Sequence, residues 1–203
     1  MKNVRFAIQS IHGTRIPEPL AGSGLQPERE RRIAAMKRKD SIAASLTGDW
    51  LARKLAAELT GCEPAALQIA DGLHGKPELP GTPAEISITH SGEYAAAAAA
   101  LRPVGIDLER LRPLPQTVLL RVCSDEELKW VYADPQQTLP RFFRLWTMKE
   151  AYGKMKGVGI FAPHPFCARF VQGTLLELYA DCLFLFPEAP EGYSISVCIA
   201  REP

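Results

Sequence analysis

Three acidic residues and one lysine have the types and spacing to act on a phosphate. Asp107 and Glu109 lie two positions apart in one apolar segment, and Glu150 and Lys154 lie four positions apart in another. Carboxylate oxygens suit Mg²⁺, which keeps water and substrate phosphates in the rest of its shell. A lysine one helical turn beyond a carboxylate can face a phosphate oxygen as a point charge. These four side chains therefore predict magnesium-assisted phosphoryl chemistry.

Each pair also has an ordinary structural explanation. Glu–Lys pairs four apart are the commonest arrangement on a helix surface, and most D-x-E pairs at a strand end are solvated. Two carboxylates held close together repel each other, and a cation relieves that repulsion. The site interpretation therefore depends on whether the fold brings the two pairs together.

The second pair is predicted to lie on a helix at residues 142–157, which has no internal proline and ends at a glycine. At about 100° per residue, one face collects five side chains, namely Phe143, Trp146, Thr147, Glu150 and Lys154. Large aromatic residues normally face the core, so Phe143 and Trp146 are expected to anchor this helix. Lys149 points away from that face and receives no role.

The first pair is predicted to lie on a strand at residues 104–109. Alternate side chains of a strand share a face, so Asp107 and Glu109 project together, roughly 7 Å apart, and Ile106 and Leu108 enter the core. Patterning predicts strands at 1–8, 84–91, 94–101, 167–171, 175–179, 182–186 and 193–200, and helices at 27–61 (with an interruption) and 124–132. The alanine run at 94–101 fits a hairpin partner. Each half has a long helix closed by glycine and later strands, which suggests a duplicated α+β unit.

Composition excludes several classes of protein. The chain has 203 residues, is 46% hydrophobic and 23% charged, and has a formal charge of +1, which gives no sign of nucleic-acid binding. Five scattered cysteines fit reduced thiols in the cytoplasm. The N-terminus lacks signal-peptide features, and no apolar run approaches the ~20 residues of a membrane span. A cytoplasmic protein without a membrane or nucleic-acid partner is expected.

Phosphate recognition would have to use side-chain cations. The sequence contains neither G-x-x-x-x-G-K-[ST] nor a G-x-G-x-x-G after a strand. Lys76 in a Gly-Lys-Pro loop, His90 at a strand end and the basic segment at residues 29–39 are the candidates. For His90 taken alone, a hydrogen-bonded structural role is the commoner explanation.

Four motifs together resemble Sfp-type 4′-phosphopantetheinyl transferases. In order, they are Gly75-Lys76-Pro77, Ile86-Ser87-Ile88-Thr89-His90-Ser91, Val104-Gly105-Ile106-Asp107-Leu108-Glu109 and Trp146-Thr147-Met148-Lys149-Glu150-Ala151-Tyr152-Gly153-Lys154. The paired G-I-D-x-E and W-T-x-K-E-A-x-x-K motifs are highly specific, and the resemblance covers roughly residues 27 to 160. Ser87 and Thr89 stand where the family commonly has Asn and Ser, and Ala44 stands where it often has Arg.

The resemblance implies an enzyme that moves phosphopantetheine from coenzyme A to a serine of an acyl, peptidyl or aryl carrier protein, releasing 3′,5′-ADP. Asp107, Glu109 and Glu150 would hold Mg²⁺, Glu150 would also be the general base, and Lys154 would steady the phosphate. Coenzyme A would be contacted by Lys76, Thr89 and His90, and its 3′-phosphate also by Arg29, Arg32 and Ser45.

The implied fold is α+β, with two pseudo-symmetric subdomains in one chain and coenzyme A between them. Residues 1–102 would carry the coenzyme A 3′-phosphate and adenine side, and residues 103–203 would carry the magnesium-binding carboxylates and the catalytic helix. A monomer would suffice. Carrier proteins of this type are usually acidic, so exposed residues between Leu114 and Tyr132 are expected to dock them.

Two alternatives stay open at this stage. A magnesium-dependent nuclease also combines carboxylates with lysine, although such sites usually place Glu and Lys two apart on a strand. A non-catalytic module that binds coenzyme A or carrier proteins is the other alternative, although it has no need of three metal-type carboxylates.

Overall fold

A computed structural model of the chain describes residues 3–12, 25–72, 75–158 and 166–201. It is a mixed helix-and-sheet protein. The helices are α1 (Pro27–Ala34), α2 (Lys39–Thr60), α3 (Gln116–Val122), α4 (Asp125–Tyr132) and α5 (Thr138–Lys156). The strands are β1 (Val4–Ser10), β2 (Ala70–Asp71), β3 (Pro77–Glu78), β4 (Glu85–Ser91), β5 (Tyr94–Ala100), β6 (Val104–Arg110), β7 (Phe170–Val171), β8 (Thr174–Leu175), β9 (Cys182–Leu185) and β10 (Tyr193–Ala200). Within these ranges, none of the helices is long and apolar enough to cross a bilayer.

Two three-stranded antiparallel sheets form the frame, in the orders β1-β5-β4 and β6-β10-β9. In each sheet the first strand lies at an edge, a long helix follows it in the chain, and the last strand returns to the centre. Helix α2 packs on the first sheet and α5 on the second. The two halves therefore share this order of strand, long helix and returning strand.

The alanine run at residues 94–100 forms the central strand of the first sheet, which confirms the hairpin prediction. Its alanines are fully buried on both faces. Ala97 and Ala99 pack against α2, whereas Ala96 and Ala98 pack against β6 and β10 of the second sheet. Small side chains are needed here because a helix and a second sheet cover the strand from opposite sides.

Helix α5 lies unusually close to strand β6. A Cβ atom built on Gly105 would overlap the backbone carbonyl oxygen of Ala151. Phe142, Phe143, Leu145 and other apolar residues of α5 are buried in the core of this half. The missing side chain at Gly105 therefore brings the helix backbone against the strand that carries the two acidic residues.

Some predicted boundaries were wrong. Helix α5 begins at Thr138, before the predicted start at residue 142, because Pro140 lies in the first helical turn, where proline loses no hydrogen bond. The strands predicted at 167–171 and 175–179 are reduced to a short hairpin of β7 and β8. Leu178 is exposed, so the apolar alternation there does not bury one face. The interruption predicted within residues 27–61 lies between α1 and α2, and β9 and β10 fall where the alternation predicted strands.

Candidate active site

An ion pair between β6 and α5 is the centre of the site. Lys154 Nζ contacts Asp107 Oδ1 at 2.7 Å and donates to the carbonyl oxygen of Ile106 at 3.1 Å. The hydroxyl of Thr89 donates to the same Oδ1 at 3.1 Å. Asp107 is buried, whereas the Lys154 side chain is about one-third exposed. The two sequence-predicted pairs are therefore brought together through Asp107 and Lys154.

The second carboxylate oxygen of Asp107 has a different environment. Oδ2 is buried and has no hydrogen-bond partner among the described residues. Burial raises the pKa of Asp107, and the nearby Lys154 ammonium opposes that rise. A buried acceptor without a donor is costly, and a cation at this oxygen would remove the cost.

Glu150 and Glu109 complete the acidic cluster. Burial raises the pKa of Glu150 to about 7, and the carboxylate of Asp107 adds to this rise while Lys154 opposes it. Glu109 contributes a smaller repulsion of the same sign. Its Oε2 accepts from Ser91 Oγ at 3.1 Å and from Arg112 at 3.4 Å. Three acidic groups and one ammonium group thus influence one another here, and the excess of negative charge favours a further cation.

His90 comes from the first half of the chain, at the end of β4, and lies near this cluster. Partial burial of the ring lowers the pKa of His90, and the Lys154 ammonium lowers it further, while Glu109 opposes this. The side chain still reaches solvent. A neutral imidazole next to Lys154 is therefore the form expected at neutral pH.

Lys76 also reaches the catalytic helix from the first half. Gly75 precedes it with φ of 76°, a left-handed conformation that favours glycine in this loop. Lys76 Cδ lies 3.9 Å from the position that a Cβ on Gly157, the residue closing α5, would take. Its ammonium contacts Glu85 at 3.2 Å, and Glu85 is 43% exposed. A partly exposed pair of this kind is weak, so a phosphate can compete for the ammonium.

Arg29 and Arg32, the basic residues predicted to contact the 3′-phosphate, form ion pairs within the first half of the chain. Arg29 is buried, and its guanidinium donates to both carboxylate oxygens of Asp49 and to Asp71. Its charge is thus already neutralised inside the first half by two carboxylates, and its contact with a 3′-phosphate stays a prediction. Arg32 pairs with Asp71 at 3.1 Å and remains about half exposed.

Ser45 and Thr89 are the remaining predicted contacts with coenzyme A. The Ser45 hydroxyl lies 3.6 Å from the sulfur of Met36. Thr89 is buried, and its hydroxyl accepts from the Leu108 N–H at 3.3 Å while donating to Asp107. A phosphate oxygen needs a donated proton, and the Thr89 proton is already used. In the described contacts, the Thr89 hydroxyl therefore donates to Asp107, and it has no second proton to donate to coenzyme A.

Lys149, which received no role from the sequence, has a structural one. Its ammonium contacts Glu127 at 2.9 Å and donates to the carbonyl oxygen of Phe166 at 2.9 Å. Glu127 is fully buried and also accepts from the backbone N–H groups of Ser124 and Ala168. This buried pair links α4, α5 and the segment that follows α5. The S-D-E-E capping pattern indicated the helix start but not the lysine partner.

The residues present fit a magnesium ion chemically, although they do not form a ready-made cage. Throughout the described part of the chain, no three His, Cys, Asp or Glu side chains are grouped as a metal site. Mg²⁺ needs only one or two protein carboxylates and takes its other ligands from water and phosphate. The unpartnered Asp107 Oδ2 and the neighbouring acids Glu109 and Glu150 match that requirement.

Comparison with known proteins gives consistent results. The family described as the 4′-phosphopantetheinyl transferase superfamily matches residues 103–196. A 4′-phosphopantetheinyl transferase of Bacillus subtilis is 29% identical over 206 residues, which cover 94% of this chain and 92% of that protein. The 4′-phosphopantetheinyl transferase Sfp of Bacillus subtilis (strain 168) is 27% identical with the same coverage.

A relative from Bacillus pumilus, also named a 4′-phosphopantetheinyl transferase, is 30% identical over 184 residues, which cover 86% of this chain and 78% of that protein. The crystal structure of Thermotoga maritima holo-[acyl-carrier-protein] synthase aligns with 60% of this chain and 74% of that one, at 20% identity. Its TM-score of 0.34 is too low to support an argument. The extent and level of the sequence matches show that this chain belongs to the Sfp-type 4′-phosphopantetheinyl transferase family.

Proposed function

We propose that this chain transfers 4′-phosphopantetheine from coenzyme A to a serine of an acyl or peptidyl carrier protein, with Mg²⁺ as cofactor. The observation that carries the proposal is the meeting of Asp107 on β6 with Lys154 and Glu150 on α5. This arrangement provides an acidic cluster for a cation, a carboxyl group with a pKa near neutrality and a partly exposed ammonium group.

In the proposed step, the serine oxygen forms a bond to the β-phosphorus of coenzyme A. The bond between that phosphorus and the oxygen bridging to the α-phosphate breaks, and 3′,5′-ADP leaves with the electron pair. Glu150 accepts the serine proton as the general base, directly or through water. Lys154 donates to a phosphate oxygen and offsets the charge that develops there.

Asp107, Glu109 and Glu150 are the residues that would hold Mg²⁺. When bound, the ion neutralises pyrophosphate charge and so lowers the repulsion that the nucleophile meets. Asp107 is bound by Lys154 and Thr89 at one oxygen only, which leaves Oδ2 for the ion.

Residues 1–102 are proposed as the side that holds the 3′-phosphate and adenine, and residues 103–203 as the side that holds the metal and the catalytic helix. Lys76 and His90 are the first-half residues proposed to contact coenzyme A, with Arg32 and Ser45 at the 3′-phosphate. The shared order of strand, long helix and two further strands supports a pseudo-symmetric pair, for which one chain is sufficient. Arg29 stays a predicted contact whose charge Asp49 and Asp71 already neutralise.

The other two functions have no observation in their favour. Glu150 and Lys154 are four apart on a helix, unlike the strand-borne pair of the nuclease arrangement. A binding module has no use for a carboxyl group whose pKa is raised to about 7.

The test is to incubate the protein with coenzyme A, Mg²⁺ and a panel of unmodified carrier proteins from fatty-acid, polyketide and peptide synthesis, and to weigh each carrier by mass spectrometry. We expect one or more carriers to gain the mass of phosphopantetheine. Glu150→Gln is expected to lower kcat by about 10²- to 10⁴-fold, the usual contribution of a general base. No mass gain on any carrier, or full activity of Glu150→Gln, would contradict the proposal.

A further inference from the structure

Strands β4 and β6 lie side by side at the junction of the two sheets. They belong to different sheets and are joined through side-chain hydroxyl groups of β4. Hydroxyl groups at alternate positions of β4 accept backbone N–H groups at alternate positions of β6. The pairs are Ser87 with Ile106 at 3.1 Å, Thr89 with Leu108 at 3.3 Å and Ser91 with Arg110 at 3.0 Å. The offset of 19 positions is constant, so the two strands run parallel. Ser87, Thr89 and Ser91 are called the hydroxyl ladder below.

The hydroxyl ladder provides hydrogen-bond acceptors for backbone N–H groups at the edge of β6. β6 pairs with β10 on one side only, so the N–H groups on its other side need acceptors. A buried N–H without an acceptor is destabilising. Each hydroxyl of the ladder satisfies one such group, which explains why short hydroxyl side chains occupy every second position of β4.

Two members of the ladder have a second contact. A hydroxyl that accepts an N–H still has its own proton to donate. Thr89 donates that proton to Asp107 Oδ1 at 3.1 Å, and Ser91 donates to Glu109 Oε2 at 3.1 Å. Ser87 differs, because no described contact joins its hydroxyl to a carboxylate.

The donors on each carboxylate gather on one oxygen. Thr89 and Lys154 both contact Oδ1 of Asp107, and Oδ2 is left buried without a partner among the described residues. Ser91 and Arg112 likewise both contact Oε2 of Glu109. A carboxylate held at one oxygen cannot rotate freely, so its other oxygen keeps a fixed direction.

We propose that Thr89 and Ser91 are positioning residues that orient Asp107 and Glu109 for a divalent cation, and that Ser87 is a purely structural member of the same ladder. This inference rests on the proposed function only in taking the two carboxylates as metal ligands. The proposed metal ligands, Asp107 and Glu109, belong to the second half of the chain. The residues that hydrogen-bond to these ligands and orient them, Thr89 and Ser91, belong to the first half. Groups behind metal ligands typically contribute 10- to 100-fold in metal affinity.

Ser87 provides a matched control. Ser87→Ala and Ser91→Ala each remove one hydroxyl that accepts a β6 N–H, but only Ser91→Ala removes a donor to a carboxylate. Thr89→Val keeps the shape of the side chain and removes its hydroxyl, whereas Thr89→Ser restores the hydroxyl. Ser91 is partly exposed, so Ser91→Ala keeps the test available if Thr89→Val does not fold.

The experiment titrates Mn²⁺ into the full-length protein with coenzyme A and follows the free ion by electron paramagnetic resonance, after subtraction of coenzyme A alone. We expect Thr89→Val and Ser91→Ala to raise the Kd for Mn²⁺ by about tenfold. Ser87→Ala and Thr89→Ser are expected to retain the wild-type Kd, although Ser87→Ala lowers the unfolding midpoint in urea.

Wild-type Mn²⁺ affinity in both folded Thr89→Val and Ser91→Ala would overturn the inference, and so would an equal loss in Ser87→Ala. Failure of the wild-type protein to bind Mn²⁺ would overturn it as well. The carrier-mass assay separates this inference from the proposed function. Wild-type protein that shows the expected Mn²⁺ pattern and modifies no carrier supports the positioning roles and contradicts the transferase proposal.

Discussion

Each half of the molecule buries an aspartate, Asp49 on helix α2 and Asp107 on strand β6, and the two carboxylates have opposite hydrogen-bonding environments. In the first half, Asp49 has both oxygens bound by Arg29, which also binds Asp71. In the second half, Asp107 has two donors on Oδ1 and none on Oδ2. Both carboxylate oxygens of Asp49 thus accept hydrogen bonds, whereas one oxygen of Asp107 can still accept a hydrogen bond or bind a cation. A buried carboxylate is therefore a candidate ligand for a cation only where its partners leave one oxygen without a donor.

Breaking the ion pair in each half tests this comparison most directly. Arg29→Ala leaves Asp49 buried without its partner, so we expect a loss of about 3–5 kcal/mol in the free energy of unfolding. Lys154→Met also leaves a buried aspartate without its ammonium partner, but that lysine is about one-third exposed, so we expect a smaller loss of stability than for Arg29→Ala, together with the loss of carrier modification. Urea unfolding and the carrier-mass assay measure the two quantities.

The comparison fails if Arg29→Ala folds with wild-type stability and instead loses affinity for coenzyme A. In that case the pairing of Arg29 with Asp49 would not be the reason for its burial.

A second test uses the pH dependence of stability in metal-free protein. The pKa of Glu150 rises from 4.5 to about 7 on folding, so between these values the folded state holds a proton that the unfolded state has released. Stability from this group is present at low pH and is lost as pH rises through about 7. At full burial the change would be about 3 kcal/mol, and partial exposure makes it smaller.

Glu150→Gln is the control for this measurement because it cannot titrate. With EDTA present, we expect the unfolding free energy of the wild type to fall relative to Glu150→Gln between about pH 5 and pH 8. Parallel pH profiles of the two proteins would show that burial and the neighbouring carboxylates do not raise the pKa of Glu150.

The smallest expected change in stability is that caused by replacing Arg32. This residue shares Asp71 with Arg29 but is about half exposed, so Arg32→Ala should change the unfolding free energy by less than about 1 kcal/mol. If its free donors contact the 3′-phosphate, the Kd for coenzyme A rises roughly tenfold. Titration calorimetry measures the Kd of wild type and Arg32→Ala for coenzyme A and for its 3′-dephosphorylated form. An equal loss of affinity for both ligands would show that Arg32 does not contact the 3′-phosphate.

Local sequence pattern was sufficient for much of the catalytic half. Period-two spacing correctly predicted that Ile106 and Leu108 enter the core while Asp107 faces the other way, and helical spacing placed Glu150 and Lys154 on one side of α5. These predictions succeeded because they depend on geometry within one element.

The contacts that the sequence did not reveal join residues that are distant in sequence. Arg29 looked like an available cation because its partners Asp49 and Asp71 are 20 and 42 positions away. Lys149 pairs with Glu127 on another helix, and Thr89 donates across the junction between two sheets. Since burial and pairing arise from tertiary packing, a single sequence does not separate a neutralised arginine from a free one.

The contact at Gly105 also affects which substitutions the site can tolerate. It sets the separation of α5 from β6 through backbone atoms, since a side chain there would overlap the Ala151 carbonyl. Backbone atoms have no alternative rotamers, so changes on the outer surface of the helix leave this separation unaltered. Substitutions on the outer surface of α5 are therefore expected to leave the 2.7 Å contact between Lys154 and Asp107 intact.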